Sequence, residues 1–80
     1  MTRETVTEKL TEIFQDHFDD EDIVLRDDLT SEDIEDWDSL QHVRLILEIE
    51  REFGIRFAAG EASELKNVGH LIQSVLDKQA

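Results

Sequence analysis

Apolar residues recur along this chain at steps of three and four. In the first eighteen positions Val6, Leu10, Ile13, Phe14 and Phe18 fall within one stripe of a 3.6-residue helix, with polar residues between them. Two starts are open: Thr5 with Glu8 three residues on makes a capping box, and Thr2 is an equally good cap. Four consecutive acids at 19–22 end this helix, where its dipole least favours anions, and His17 sits just before them, placed to interact with that dipole.

A second helix is predicted from Asp38 or Ser39. Asp38 is a good N-cap, and Gln41 three residues later completes a capping-box pattern. Leu40, Val43, Ile46, Leu47, Ile49 and Phe53 supply a wide apolar arc, and Gln41, Arg44, Glu48, Arg51 and Glu52 project to the other side. Glu50 falls inside the arc and either snorkels outward or pairs with Lys9 or Arg3. Gly54 serves as a left-handed C-terminal cap with Ile55 as its hydrophobic contact. Glu61 to Leu65 forms a turn or two of helix, and Asn67 then caps a last helix with the stripe Val68, Leu71, Ile72, Val75 and Leu76.

Residues 19–38 form a long connection for so small a chain. They carry apolar anchors in Ile23, Val24, Leu25, Leu29, Ile34 and Trp37, and Thr30-Ser31-Glu32-Asp33 suits a single helical turn, so a packed loop is expected. No stretch sustains strand alternation; Ile55-Arg56-Phe57 alternates but is too short for a sheet. The expected fold is all-α: a small four-helix bundle of three longer helices and one short one, with a long first loop, residues 1–80 making one domain.

Composition narrows the function. The 80 residues hold 21 acidic and 8 basic side chains, a formal net charge of -13, which disfavours nucleic acid and anionic membrane as partners and favours basic ones. The charge is uneven: residues 1–38 hold 15 acids and 3 bases, a balance of -12, and residues 39–80 hold 6 and 5, a balance of -1. There is no cysteine, so no disulfide frame and no thiol nucleophile, and no apolar run exceeds three residues. A cytoplasmic protein is the simplest expectation.

Catalytic signatures are missing. His17, His42 and His70 lie far apart in sequence and make no ligand pair at helical spacing. Asp20 and Asp22 begin a calcium-loop pattern that fails at Val24. No phosphate-binding loop, dinucleotide fingerprint or nucleophile elbow appears, so no catalysis and no metal are expected.

Asp38-Ser39-Leu40 is the one place for attached chemistry. Ser39 falls in the first turn of a helix, where free N–H groups and the positive end of the dipole favour a phosphate on its hydroxyl. On those three letters alone Ser39 is equally a plain helix cap, in a non-catalytic acidic interaction module such as an adapter or a mimic of a nucleic-acid surface.

Trp37-Asp38-Ser39-Leu40, the apolar helix running to Phe53-Gly54-Ile55, and Leu65-Lys66-Asn67-Val68-Gly69 together resemble the acyl carrier protein family over essentially the whole chain. The resemblance implies a 4'-phosphopantetheine arm, moved from coenzyme A onto Ser39 by a phosphopantetheinyl transferase, with Asp38 and Leu40 flanking the attachment. The arm's thiol, which the cysteine-free chain cannot itself supply, would hold an acyl or aminoacyl group as a thioester. The implied partners are that transferase and the acyl-loading, acyl-transferring or synthase enzymes of a pathway, met by a monomer.

Many family members of fatty acid synthesis present acids on the helix after the serine. Here Gln41, Arg44 and Arg51 stand at matching outward positions, with Glu48 and Glu52 between them. Arg44 either pairs with Glu48 one turn on, worth a few tenths of a kcal/mol, or selects partners together with Gln41, Glu48 and Arg51. The departure points toward a specialised lipid, polyketide or related pathway rather than housekeeping fatty acid biosynthesis. Trp37 reads as a loop anchor packed on the bundle, with flanking the arm as the alternative role; His42 reads as a satisfied, half-buried histidine. Val43, Ile46, Leu47, Ala59, Ala62, Leu65 and Leu71 form either plain core or walls that part to admit an acyl chain.

Overall fold

Helix α1 spans Arg3–Phe18 and is started by Thr2, whose hydroxyl accepts the Thr5 N–H; the alternative box at Thr5 and Glu8 is not used. It ends because Asp19 adopts the left-handed conformation (φ 51°), tolerable for an aspartate. The Asp20 and Asp19 N–H groups then close back on the Gln15 and Asp16 carbonyls at 3.0 and 3.4 Å, so two of the last orphan carbonyls are met. Helix α2 spans Ser39–Phe53 and ends at Gly54 (φ 65°), with the Ile55 N–H on the Glu50 carbonyl at 3.1 Å. Helix α3 spans Val68–Gln79, and the expected short helix is a single 3-10 turn, Ala62–Glu64. This computed structural model describes residues 2–58, 60–65 and 67–79. Ala59 and Lys66, both cited above, lie outside the described residues. No strand occurs among those described, and the all-α expectation is met.

Helix α1 packs against both α2 and α3. Val6, Leu10 and Phe14 of α1, Leu45 and Ile49 of α2, and Val68 and Val75 of α3 are fully buried, and no described polar or charged residue is buried with them. Each such side chain contributes about 1.5–3 kcal/mol relative to exposure, so apolar burial outweighs the exposed ion pairs.

The long connection is packed, as expected, by Ile23, Leu29 and Trp37. Val24, expected as an anchor, is 71% exposed, because its neighbours Ile23 and Leu25 take the inward side. Thr30 to Asp33 forms a turn rather than a helix, with the Asp33 carboxylate on the Thr30 N–H at 2.9 Å. Two further bonds tie the loop to α3: Val68 N–H donates to the Leu29 carbonyl and Gly69 N–H to the Asp27 carbonyl, each at 2.9 Å. The Asn67 side chain caps the His70 N–H at 2.8 Å, as its position predicts. The first N–H groups of α3 are thus satisfied partly from a loop forty residues upstream.

Candidate functional site

Trp37 positions the start of α2. Its ring is buried against Phe14, edge to face at 5.3 Å between centroids, and stacks on His42 at 5.9 Å. With the chain held there, the Asp38 carboxylate accepts the Gln41 N–H at 2.9 Å and the Asp38 carbonyl accepts the His42 N–H at 2.9 Å. The next residue, Ser39, is exposed, and among the described residues its own N–H and that of Leu40 meet no acceptor. An exposed hydroxyl beside two free donors at the positive end of a helix is a favourable place for a phosphodiester. The Asp38, Ser39 and Leu40 of the motif are therefore held together as the sequence suggested, with Leu40 pointing outward at 59% exposure.

A cleft of about 740 Å³ adjoins Ser39. Val43, Ile46 and Leu47 of α2 line it, together with Phe57, Ala62 and Leu65 of the segment that follows, and Trp37 and Asp38 lie at the Ser39 end of the chain around it. Two polar contacts frame the space. The Trp37 indole, which can only donate, gives its N–H to His42 Nδ1 at 3.1 Å; the imidazole proton therefore sits on Nε2 and is donated to the Ala62 carbonyl at 2.9 Å. His42 is the satisfied, half-buried residue expected, and it also ties the 3-10 turn to α2. Glu50 neither snorkels nor reaches Lys9 or Arg3: its carboxylate accepts the Phe57 N–H at 2.7 Å. In the same segment after α2, Glu61 takes the Lys78 ammonium at 2.9 Å and the Ala58 N–H at 2.9 Å. The hydrogen bond from Lys78, then that from Ala58, hold its carboxyl below the ordinary carboxylate range.

The outward side of α2 departs from expectation. Leu40, Val43 and Leu47, all on the predicted apolar arc, are 59%, 57% and 56% exposed, while Leu45, absent from that arc, is fully buried. The core-facing set is Leu45, Ile46, Ile49 and Phe53, so the true axis is rotated from the predicted one. Gln41 does not close a capping box; its side-chain oxygen meets His17 Nε2 at 2.9 Å. Glu48 does not pair with Arg44 but approaches His17 Nδ1 at 3.4 Å. His17 thus bridges α1 to α2 through two of the four candidate partner residues, beyond any dipole role. Arg44 and Arg51 are exposed and meet no carboxylate among the described residues. His42 as a tie and Leu47 as an outward residue escaped sequence reasoning. The clue for Leu47 was its position four after Val43 and seven after Leu40 on a helix with apolar residues on two sides.

Of the three serines around the cleft, Ser31, Ser39 and Ser63, it is Ser39 whose hydroxyl stands at the start of a helix, a geometry that suits a carrier of an attached group. Residues 5–75 match the family model described as the phosphopantetheine attachment site. Among solved structures the chain is similar to a holo acyl carrier protein from Geobacter metallireducens determined in solution by NMR. The identity is 45%, covering 91% of this chain and 84% of that one, with a TM-score of 0.86. The search of curated proteins finds no match. The chain belongs to the acyl carrier protein family, a non-catalytic carrier whose prosthetic group is 4'-phosphopantetheine. Proteins of this family work with a phosphopantetheinyl transferase and with the enzymes of a pathway. Among the described residues no helix is long and apolar enough to cross a membrane, and no three metal-ligating side chains gather.

Proposed function

We propose that Ser39 is the attachment point and that the chain presents an acyl or aminoacyl thioester to enzymes of a specialised lipid, polyketide or related pathway in the cytoplasm. The observation that carries the first part is the exposed Ser39 hydroxyl at the start of α2, beside two N–H groups without acceptors. Those donors and the dipole stabilise the phosphate once it is bound, and the arm supplies the thiol that the chain lacks. Asp38 sets the geometry by capping, and Leu40 stands next to the attachment as an exposed apolar contact for a transferase. The chain acts as a monomer and as a single domain in this reading. The cleft beside Ser39 is of the size that accommodates small ligands, and its aliphatic walls suit an acyl chain.

The test is mass spectrometry after incubation with coenzyme A and a promiscuous phosphopantetheinyl transferase. One arm is expected on the parent chain and none on Ser39→Ala, with the variant keeping its helical circular dichroism. Arm addition to folded Ser39→Ala, or none to the parent with any transferase tried, would overturn the assignment.

A further inference from the structure

His42 joins the two walls of the cleft close to Ser39. At 100° per residue, Ser39, Ile46 and Glu50 fall within about 40° of one another on α2, with His42 turned a further 40° or so toward the core and Val43 and Leu47 turned toward solvent. Exposure agrees: Ile46 is buried, His42 half-buried, and Val43 and Leu47 exposed. The buried aliphatic floor at Ile46 lies about 10 Å along the helix from Ser39, and His42 stands between them at about 4.5 Å. From there its Nε2–H crosses to the Ala62 carbonyl at 2.9 Å. Ala62 belongs to the 3-10 turn that lines the other side, so this bond spans the cleft between the attachment serine and the floor.

The crossbar is braced from behind. The His42 Nδ1 accepts the Trp37 indole N–H at 3.1 Å, and the two rings stack at 5.9 Å between centroids. Trp37 is itself buried against Phe14. If the imidazole swings aside, it strands the N–H of a buried tryptophan as well as the Ala62 carbonyl. Both ring nitrogens are engaged, one as acceptor and one as donor, so neither is free to take a proton from a thiol. The role open to His42 is mechanical.

We propose that His42 is a specificity-determining residue that closes the cleft to short acyl groups. Cargo reaches Ile46 only by parting the His42–Ala62 bond, and the apolar surface it buries must offset the two polar groups left unmet. That takes roughly two to four buried methylenes, so acyl groups shorter than this stay outside and longer aliphatic chains enter. The proposal rests on the carrier reading, because the arm on Ser39 is what brings cargo to the bar.

Two substitutions separate the two bonds. His42→Gln places an amide N–H where Nε2 was and can still reach Ala62. His42→Asn keeps an acceptor for the indole but is too short to span the cleft. Each form and the parent are loaded from acyl-coenzyme A of two to twelve carbons by a promiscuous phosphopantetheinyl transferase, with loading confirmed by intact mass. Melting temperature is then compared with that of the same form carrying the bare arm, which cancels any loss of stability from the substitution itself. Parent and His42→Gln are expected to begin to gain stability at the same chain length, and His42→Asn roughly two to four carbons earlier. In the parent, the nitrogen-15 resonance of His42 Nε2 is expected to move with a twelve-carbon group and to stay in place with a two-carbon one, a reading that needs no variant to fold. The same onset in His42→Asn as in the parent, an Nε2 resonance indifferent to the twelve-carbon group, or a flat melting series in every form would overturn the proposal and leave loading of Ser39 intact. A parent chain that takes no arm from any transferase would instead sink the carrier reading on which the proposal stands.

Discussion

The start of α2 at Ser39 was legible from the sequence because the physics of a helix start is local: an N-cap, a following hydroxyl and free N–H groups all lie within four residues. His42 and Glu50 were not, because their partners, Ala62 and Phe57, come from a segment whose approach to α2 no local pattern encodes. Glu61 is a third case, recruited by Lys78 from the far end of α3. Its carboxyl is held below the ordinary range first by the Lys78 hydrogen bond and then by that from Ala58. A depressed folded-state value means stabilisation that is complete above the unfolded carboxyl's range and lost as pH falls through it toward the folded value. Glu61→Gln is therefore expected to be less stable than the parent near neutrality, with the gap closing on acidification. Urea midpoints measured from pH 7 down to pH 3 check this; a gap that stays constant over that span would count against it.

Among the elements, the three helices and their caps at Asp38, Gly54 and Asn67 followed from periodicity and end residues, while the start of α1 stayed open between Thr2 and Thr5. The facing of α2 did not. A helix apolar on both its core side and its outer side has a 3.6-residue period that fits either orientation, and the arc drawn through Leu40, Val43 and Leu47 missed Leu45. Only the packing partner on α1 resolves such a helix. The acid-rich connection posed the opposite difficulty: its anchors were visible, but not the two main-chain bonds that fasten it to α3. The seam is tight. A Cβ at Gly69 would stand 3.0 Å from the Asp27 Cβ and 3.0 Å from its carbonyl oxygen, the very atom that accepts the Gly69 N–H. Gly69→Ala must push the loop away, and we expect a loss of about 1–3 kcal/mol despite alanine's better helix propensity. Thermal unfolding of the pair measures it; an unchanged or raised midpoint would show the seam to be compliant.

At the scale of the molecule, charge and cavity divide the labour. Acidity concentrates before Ser39, while the cleft is walled mainly by residues after it, from α2 and the segment up to Leu65. If the cleft shelters cargo, a longer acyl chain on the arm adds apolar contact available only in the folded state and raises the melting temperature. A series from two to twelve carbons is expected to show a stepwise rise. A flat series would mean that the cargo stays outside.

The seam at Asp27–Gly69 and Leu29–Val68 also sets an order of events. Helix α3 begins with amides whose acceptors lie some forty residues back, so its start is secured only after a large loop has closed. The first two helices can meet earlier, through shorter closures. The last helix is therefore expected to dock only with the acid-rich connection in place, so that repulsion among those carboxylates slows assembly; refolding rates that rise with added salt would bear this out.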